Sequence, residues 1–131
     1  MAKAFSKREE IRLLSCDIAL QRIVRRVHLE RMTLIVVCGH RGEAAQNAAF
    51  KDKASKLKWP HSRHNVFPSE AVDLAPFPLD WKDLGRFAQM ADHMLEIAHD
   101  EGVTLIWGGS WPKFQDFGHF EMEKDLGGAA A

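Results

Sequence analysis

The stretch His61–Pro76, HSRHNVFPSEAVDLAP, decides how this chain is read. Its first half follows neither a helical nor an alternating period and holds Pro68, with Pro60 just before it, so it reads as part of a loop running from Ser55 to Pro68. Its second half, EAVDLAP, alternates well enough for a short strand that ends at Pro76. A loop feeding a short strand is the pivot about which the flanking helices and strands arrange.

Working toward the N-terminus, TLIVVC at residues 33–38 is a β-branched run closed by Gly39 and suits a buried strand. EAAQNAAF then returns to good helix formers, which places a short second helix from about Gly42. From Arg8 to Glu30, the apolar residues Ile11, Leu14, Ile18, Ile23, Val24 and Val27 recur at three, four and seven positions, predicting one first helix.

Toward the C-terminus, DWKDLGRFAQMADHMLEIAHDEG predicts a third helix. Asp80 is its expected cap, its apolar face is Leu84, Phe87, Met90, Met94 and Ile97, and Gly102 marks its end. VTLIW and HFEME read as two more strands, and GGAAA at residues 127–131 as a frayed tail. The order implies an α+β fold, a small mainly antiparallel sheet flanked by about three helices, in one domain covering residues 1–131.

The chain has 131 residues and is 46% hydrophobic, enough to bury a core without disulfides or a structural metal. A metal here is therefore expected to do chemistry. Eighteen basic residues balance eighteen acidic ones, so net charge draws the protein toward neither nucleic acid nor an anionic membrane. Cys16 and Cys38 lack metal or redox spacing and read as reduced core residues. The charged N-terminus does not read as a signal peptide, and no run is long enough to cross a bilayer.

Two polar clusters carry possible chemistry. The first is His61, Ser62, His64 and Asp73; the second, QDFGHFE, holds Asp116, His119 and Glu121. Catalytic zinc takes about three ligands from His, Asp, Glu or Cys and leaves one position open, with a nearby carboxylate as general base. Taken singly, each cluster also fits an ordinary polar turn with a solvated histidine, and Glu121 fits a residue facing solvent. Arg41 directly follows the strand TLIVVCGH, where side chains often project into a site; a guanidinium there can stabilise an oxyanion, although solvated arginine is commoner.

The ordered set S-x-H, A-V-D-L-A-P, W-G-G-x-W and D-x-x-H-F-E resembles the zinc D,D-carboxypeptidase and L-alanyl-D-glutamate endopeptidase family. This is a peptidoglycan-cleaving group that includes small phage endolysins, and the resemblance covers nearly the whole chain. It implies Zn²⁺ held by His64, Asp73 and His119, with Asp116 as the catalytic carboxylate. Arg41 is implied to bind and polarise the scissile carbonyl. Ser62 belongs to the motif, either contacting substrate or supporting the site.

Of Trp107 and Trp111, one at least is expected to pack in the core, and Trp111 is the better candidate to line a substrate cleft. His61 competes with His64, and the S-x-H match favours His64. Two departures are the long segment NVFPSEAV between His64 and Asp73, which resembles a phage variant, and Ser110, where relatives usually carry aspartate.

The implied function is a phage or prophage endolysin that hydrolyses a stem-peptide bond of peptidoglycan, between L-Ala and D-Glu. A D-alanyl-D-alanine carboxypeptidase or dipeptidase on the same fold, or an inactive metal- or wall-binding module, are the alternatives. The stem peptide is the expected partner, with no nucleic acid, no membrane insertion and a monomeric chain. Synthesis in the host cytoplasm, followed by holin-mediated release to the wall, is the matching expectation for location.

Overall fold

The structure, a computed structural model, describes residues 3–113 and 115–123. Among these residues, four helices and four strands succeed one another. Helices α1 (Lys7–Leu14) and α2 (Ile18–Glu30) lead into strand β1 (Leu34–Cys38) and helix α3 (Glu43–Lys51). After a 3₁₀ turn at Arg63–Asn65 come β2 (Ala71–Pro76), α4 (Leu84–Asp100), β3 (Leu105–Trp107) and β4 (His119–Met122). The strands form an antiparallel sheet in the order β1-β2-β4-β3. The expected α+β class with a small antiparallel sheet holds, and the expected tail at residues 127–131 lies outside the described residues.

One face of the sheet makes the core. Leu34 and Val36 of β1, Val72 and Leu74 of β2 and Phe120 of β4 are buried with Ile23, Val24 and Val27 of α2 and Phe87, Met90, Met94 and Ile97 of α4. Because side chains alternate across a strand, burying Val72 and Leu74 turns Asp73 to the opposite face, and burying Phe120 does the same to His119 and Glu121. Helix α1 covers the edge of β1: Val36 N–H donates to Glu9 at 2.9 Å, and Arg12 donates to the Val36 carbonyl at 3.0 Å. Backbone groups that an edge strand would leave open are thereby satisfied.

The structure corrects three expectations. The helix expected over Arg8–Glu30 is two helices, because Asp17 caps a new one through Ala19 N–H at 2.8 Å while Ser15 and Asp17 bond the backbone of Ser69. Ile11, Leu14 and Ile18, which sustained the apolar period across this break, are exposed. The third helix is capped by Asp83 and starts at Leu84, whereas Asp80 accepts from Lys82 N–H in the preceding turn. Finally, Cys16 is buried in the core, but Cys38 is only half-buried and sits on the polar face of the sheet beside Asp73.

Candidate metal centre

Strand pairing places two of the expected ligands side by side. Asp73 of β2 is the register partner of His119 of β4, so residues 46 positions apart in sequence meet on one face. On the other side of β2, the register of β1 slips by one between Val36 and Cys38, which makes Cys38 the partner of Asp73. A row of Cys38, Asp73 and His119 thus crosses three strands.

His64 arrives from the 3₁₀ turn. Ser62 caps that turn by accepting from His64 N–H at 3.2 Å, and Asn65 returns a bond to Ser62 N–H at 3.0 Å. The His64 carbonyl accepts from Arg41 N–H at 2.8 Å, and the His64 Nδ1–H donates to the Gly39 carbonyl at 2.7 Å. With Nδ1 so engaged, Nε2 turns toward the sheet.

There Nε2 of His64 lies 3.2 Å from Asp73 Oδ1 and 3.3 Å from His119 Nδ1, and His119 Nδ1 lies 3.0 Å from the same oxygen. A tetrahedral ion with bonds of about 2.0 Å would separate its ligand atoms by about 3.3 Å. The donor set is therefore already spaced to hold a metal ion. Asp116 extends the group, since ligand atoms of Asp73, Asp116 and His119 all lie within 4.8 Å of one another.

The metal-free electrostatics agree with a site built for a cation. Burial alone would lower the His64 pKa, but hydrogen bonds to Asp73 and Cys38 outweigh it and raise the value to about 10. His119 is likewise raised, its bonds to Asp73 and Glu121 overcoming burial. Burial would raise the Asp73 pKa, yet the two imidazoles hold it below the ordinary carboxylate range. Asp116 moves the other way, its pKa raised by burial and then by the charge of Asp73.

The centre opens into a cleft of about 360 Å³ whose lining includes Arg41, Ser62, His64, Trp111, Asp116 and His119. The Trp111 ring sits 5.1 Å from that of His119, while Trp107 packs on Phe117 and donates to its carbonyl at 2.8 Å. Arg41 is tied down at three points: Nη2 to Asp73 at 3.1 Å, Nη1 to Gln46 at 3.0 Å and Nε to Cys38 Sγ at 3.4 Å. His61 is exposed, and Ser110 is exposed with its hydroxyl on the Trp107 carbonyl at 2.8 Å.

Sequence reasoning missed three residues here and left a fourth, Glu121, open between a solvent-facing residue and a carboxylate beside His119. Gln46 is fully buried, accepts from Arg41 and Asn65, and donates to Ser55 and the Leu57 carbonyl. Asn65 also donates to the Arg41 carbonyl at 3.2 Å. Cys38 joins His64 and Asp73 in a second group of metal-type donors. Glu121 faces His119 rather than solvent. Gln46 sits on α3, and no local signal marks it, because the loop through Ser55 and Leu57 is what buries it.

The model of the family described as phage L-alanyl-D-glutamate peptidase matches residues 1–128 of this chain. Among solved structures, the chain is similar to that of the Serratia marcescens L-Ala D-Glu endopeptidase ChiX, with 27% sequence identity and a TM-score of 0.78. That match covers 91% of this chain and 89% of the other. The sheet-borne pair Asp73 and His119, the turn-borne His64 and the length of these matches lead to one conclusion: the chain belongs to the phage L-alanyl-D-glutamate peptidase family.

Proposed function

We propose that the protein is a zinc-dependent endolysin that hydrolyses the L-Ala to D-Glu bond of the peptidoglycan stem peptide. The observation that carries the reading is the convergence of His64 Nε2, Asp73 Oδ1 and His119 Nδ1 at 3.0–3.3 Å within a cleft. Two imidazoles and a carboxylate are the donors that catalytic zinc takes, with a fourth position left for water or substrate. When bound, zinc supplies Lewis acidity at the scissile carbonyl and makes water nucleophilic near neutral pH.

The remaining chemistry falls to the chain. Asp116 takes the proton of the attacking water and delivers it to the leaving amine of D-Glu; its raised pKa suits a group that must hold that proton between the two steps. Arg41 orients Asp73 through Nη2 and, from the cleft wall, offsets the negative charge that develops on the carbonyl oxygen. Trp111 presents an apolar wall to the stem peptide, and Ser62 holds the His64 turn at the cleft's edge, where substrate also passes. The same reading has the chain acting as a monomer on the wall after holin-mediated release.

Digestion of purified peptidoglycan fragments followed by mass spectrometry tests the proposal. Cleavage should leave L-Ala as a new C-terminus, stop on chelation and return with added zinc. Release of free D-Ala with the L-Ala to D-Glu bond intact, or undiminished cleavage by a metal-free preparation, would overturn it.

A further inference from the structure

His119 meets a carboxylate at each ring nitrogen. Nδ1 faces Asp73 Oδ1 at 3.0 Å, inside the metal centre, and Nε2 faces Glu121 Oε1 at 2.8 Å, on the far side of the imidazole. A neutral imidazole carries one N–H, and only the nitrogen without it can bind a metal. Which nitrogen that is depends on the hydrogen bond made by the other.

We propose that Glu121 is a positioning residue, which accepts the Nε2–H of His119 and so keeps the Nδ1 lone pair available to the metal. The inference rests on the reading of His119 as a metal ligand. Residues 119 and 121 share a face of β4 by strand alternation, so the pairing is built into the element rather than left to a loop. Glu121 is itself held. Its Oε2 lies 3.6 Å from Arg63 Nε, and Arg63 Nη1 bonds Glu70 at 3.2 Å.

Arg63 belongs to the 3₁₀ turn that carries His64, so the pair Arg63–Glu121 also joins the elements bearing two of the ligands. The side chains of Glu121 and Arg63 are 16% and 24% exposed, which limits the rotation each would have in water. Glu121 is thereby distinguished from Asp116. Both of its oxygens are spoken for, one by an imidazole N–H and one by a guanidinium, whereas proton transfer needs a carboxylate turned to the reacting groups.

The test is zinc affinity, measured by competition with a chromophoric chelator, in wild type, Glu121→Gln, Glu121→Ala and His119→Ala. Long-range ¹H–¹⁵N spectra of the zinc-loaded forms read the His119 tautomer. Wild type should show His119 protonated at Nε2. Glu121→Ala should weaken zinc about 10–100-fold, the range for loss of a carboxylate behind a ligating histidine. Glu121→Gln keeps the shape and an acceptor, so it should fold and lose about tenfold, the lower end of that range.

Zinc affinity in Glu121→Gln and Glu121→Ala equal to wild type, or His119 protonated at Nδ1, would overturn the proposal. His119→Ala separates this from the underlying reading. If it loses zinc while the Glu121 variants do not, only the positioning role fails; if it keeps zinc, His119 is not a ligand and both fail.

Discussion

Replacing Gln46 by alanine isolates what the buried network under Arg41 contributes. Gln46 makes four bonds: its Oε1 accepts from Arg41 Nη1 at 3.0 Å and Asn65 Nδ2 at 3.1 Å, while Nε2 donates to Ser55 Oγ at 2.9 Å and the Leu57 carbonyl at 2.6 Å. The two on the loop side involve exposed or half-exposed residues, where water can substitute, and together they contribute roughly 0.5–1 kcal/mol. The bond from Arg41 is charge-assisted and worth about 1.5 kcal/mol, and leaving the buried Asn65 amide short of an acceptor costs about 1 kcal/mol. Losing the buried Cγ methylene, with only partial collapse into the space the carboxamide filled, adds about 1 kcal/mol.

The sum is roughly 4 kcal/mol. For a chain of this size it corresponds to a fall of roughly 12 °C in Tm. Urea denaturation of the metal-free protein measures the first figure and calorimetry the second. Activity should fall further than stability explains, because Arg41 loses one of the three contacts that aim it at Asp73. A stability change below about 0.5 kcal/mol, within the range of neutral surface substitutions, would refute the reasoning by showing that water or a neighbour replaces Gln46 without cost.

Asp116→Asn should retain zinc by elemental analysis yet lose about 10²–10⁴-fold in kcat, the usual loss on removal of a general base; activity near wild type would remove Asp116 from that role. Gly108→Ala puts a Cβ 2.5 Å from the Asp116 carbonyl oxygen and 3.0 Å from His119 Cβ, so the turn bearing Asp116 must shift. Its kcat/KM should drop by about 10²-fold, as for a displacement near 1 Å, and unchanged kinetics would show the contact relaxes freely. Zinc uptake at pH 7 should release at least one proton: with His64 raised to about 10 the metal-free imidazole is protonated, and it must become neutral to bind. Calorimetry in buffers of different ionisation enthalpy reads this directly, and a binding enthalpy independent of buffer would contradict it.

How far the sequence reached follows from which contacts are local. The strands around Val36, Val72, Ile106 and Phe120 were legible because each is a short apolar or alternating run. The split between α1 and α2 was not. An apolar period cannot report that Ile11, Leu14 and Ile18 stay exposed while Ser15 and Asp17 bond Ser69, more than fifty residues away. The cap expected at Asp80 lies at Asp83 for a related reason: either aspartate suits a cap, and Asp80 is taken up by the preceding turn through Lys82 N–H. Asp73 and His119 could be paired only by family resemblance, since register between β2 and β4 is a non-local property. Gln46 looked like an ordinary polar position on a short helix, because its burial comes from the loop through Ser55 and Leu57 folding over it.

The centre divides into a rigid part and a loop-borne part, and the division explains where the chain invests its hydrogen bonds. Asp73 and His119 are fixed by ladder pairing, with Val72 opposite Phe120 packed beneath them, so their separation changes only if the sheet changes. His64 has no such support, and the segment before it departs from regular structure. It is held instead by the Ser62 cap, by Asn65 closing the same turn, by Arg41 N–H on its carbonyl and by the Gly39 carbonyl on its Nδ1. That last bond requires Gly39 itself, because a Cβ there would lie 2.2 Å from the Arg12 carbonyl oxygen of α1. Helix α1 therefore sets the position of the Gly39 carbonyl, and through it which nitrogen of His64 faces Asp73 and His119.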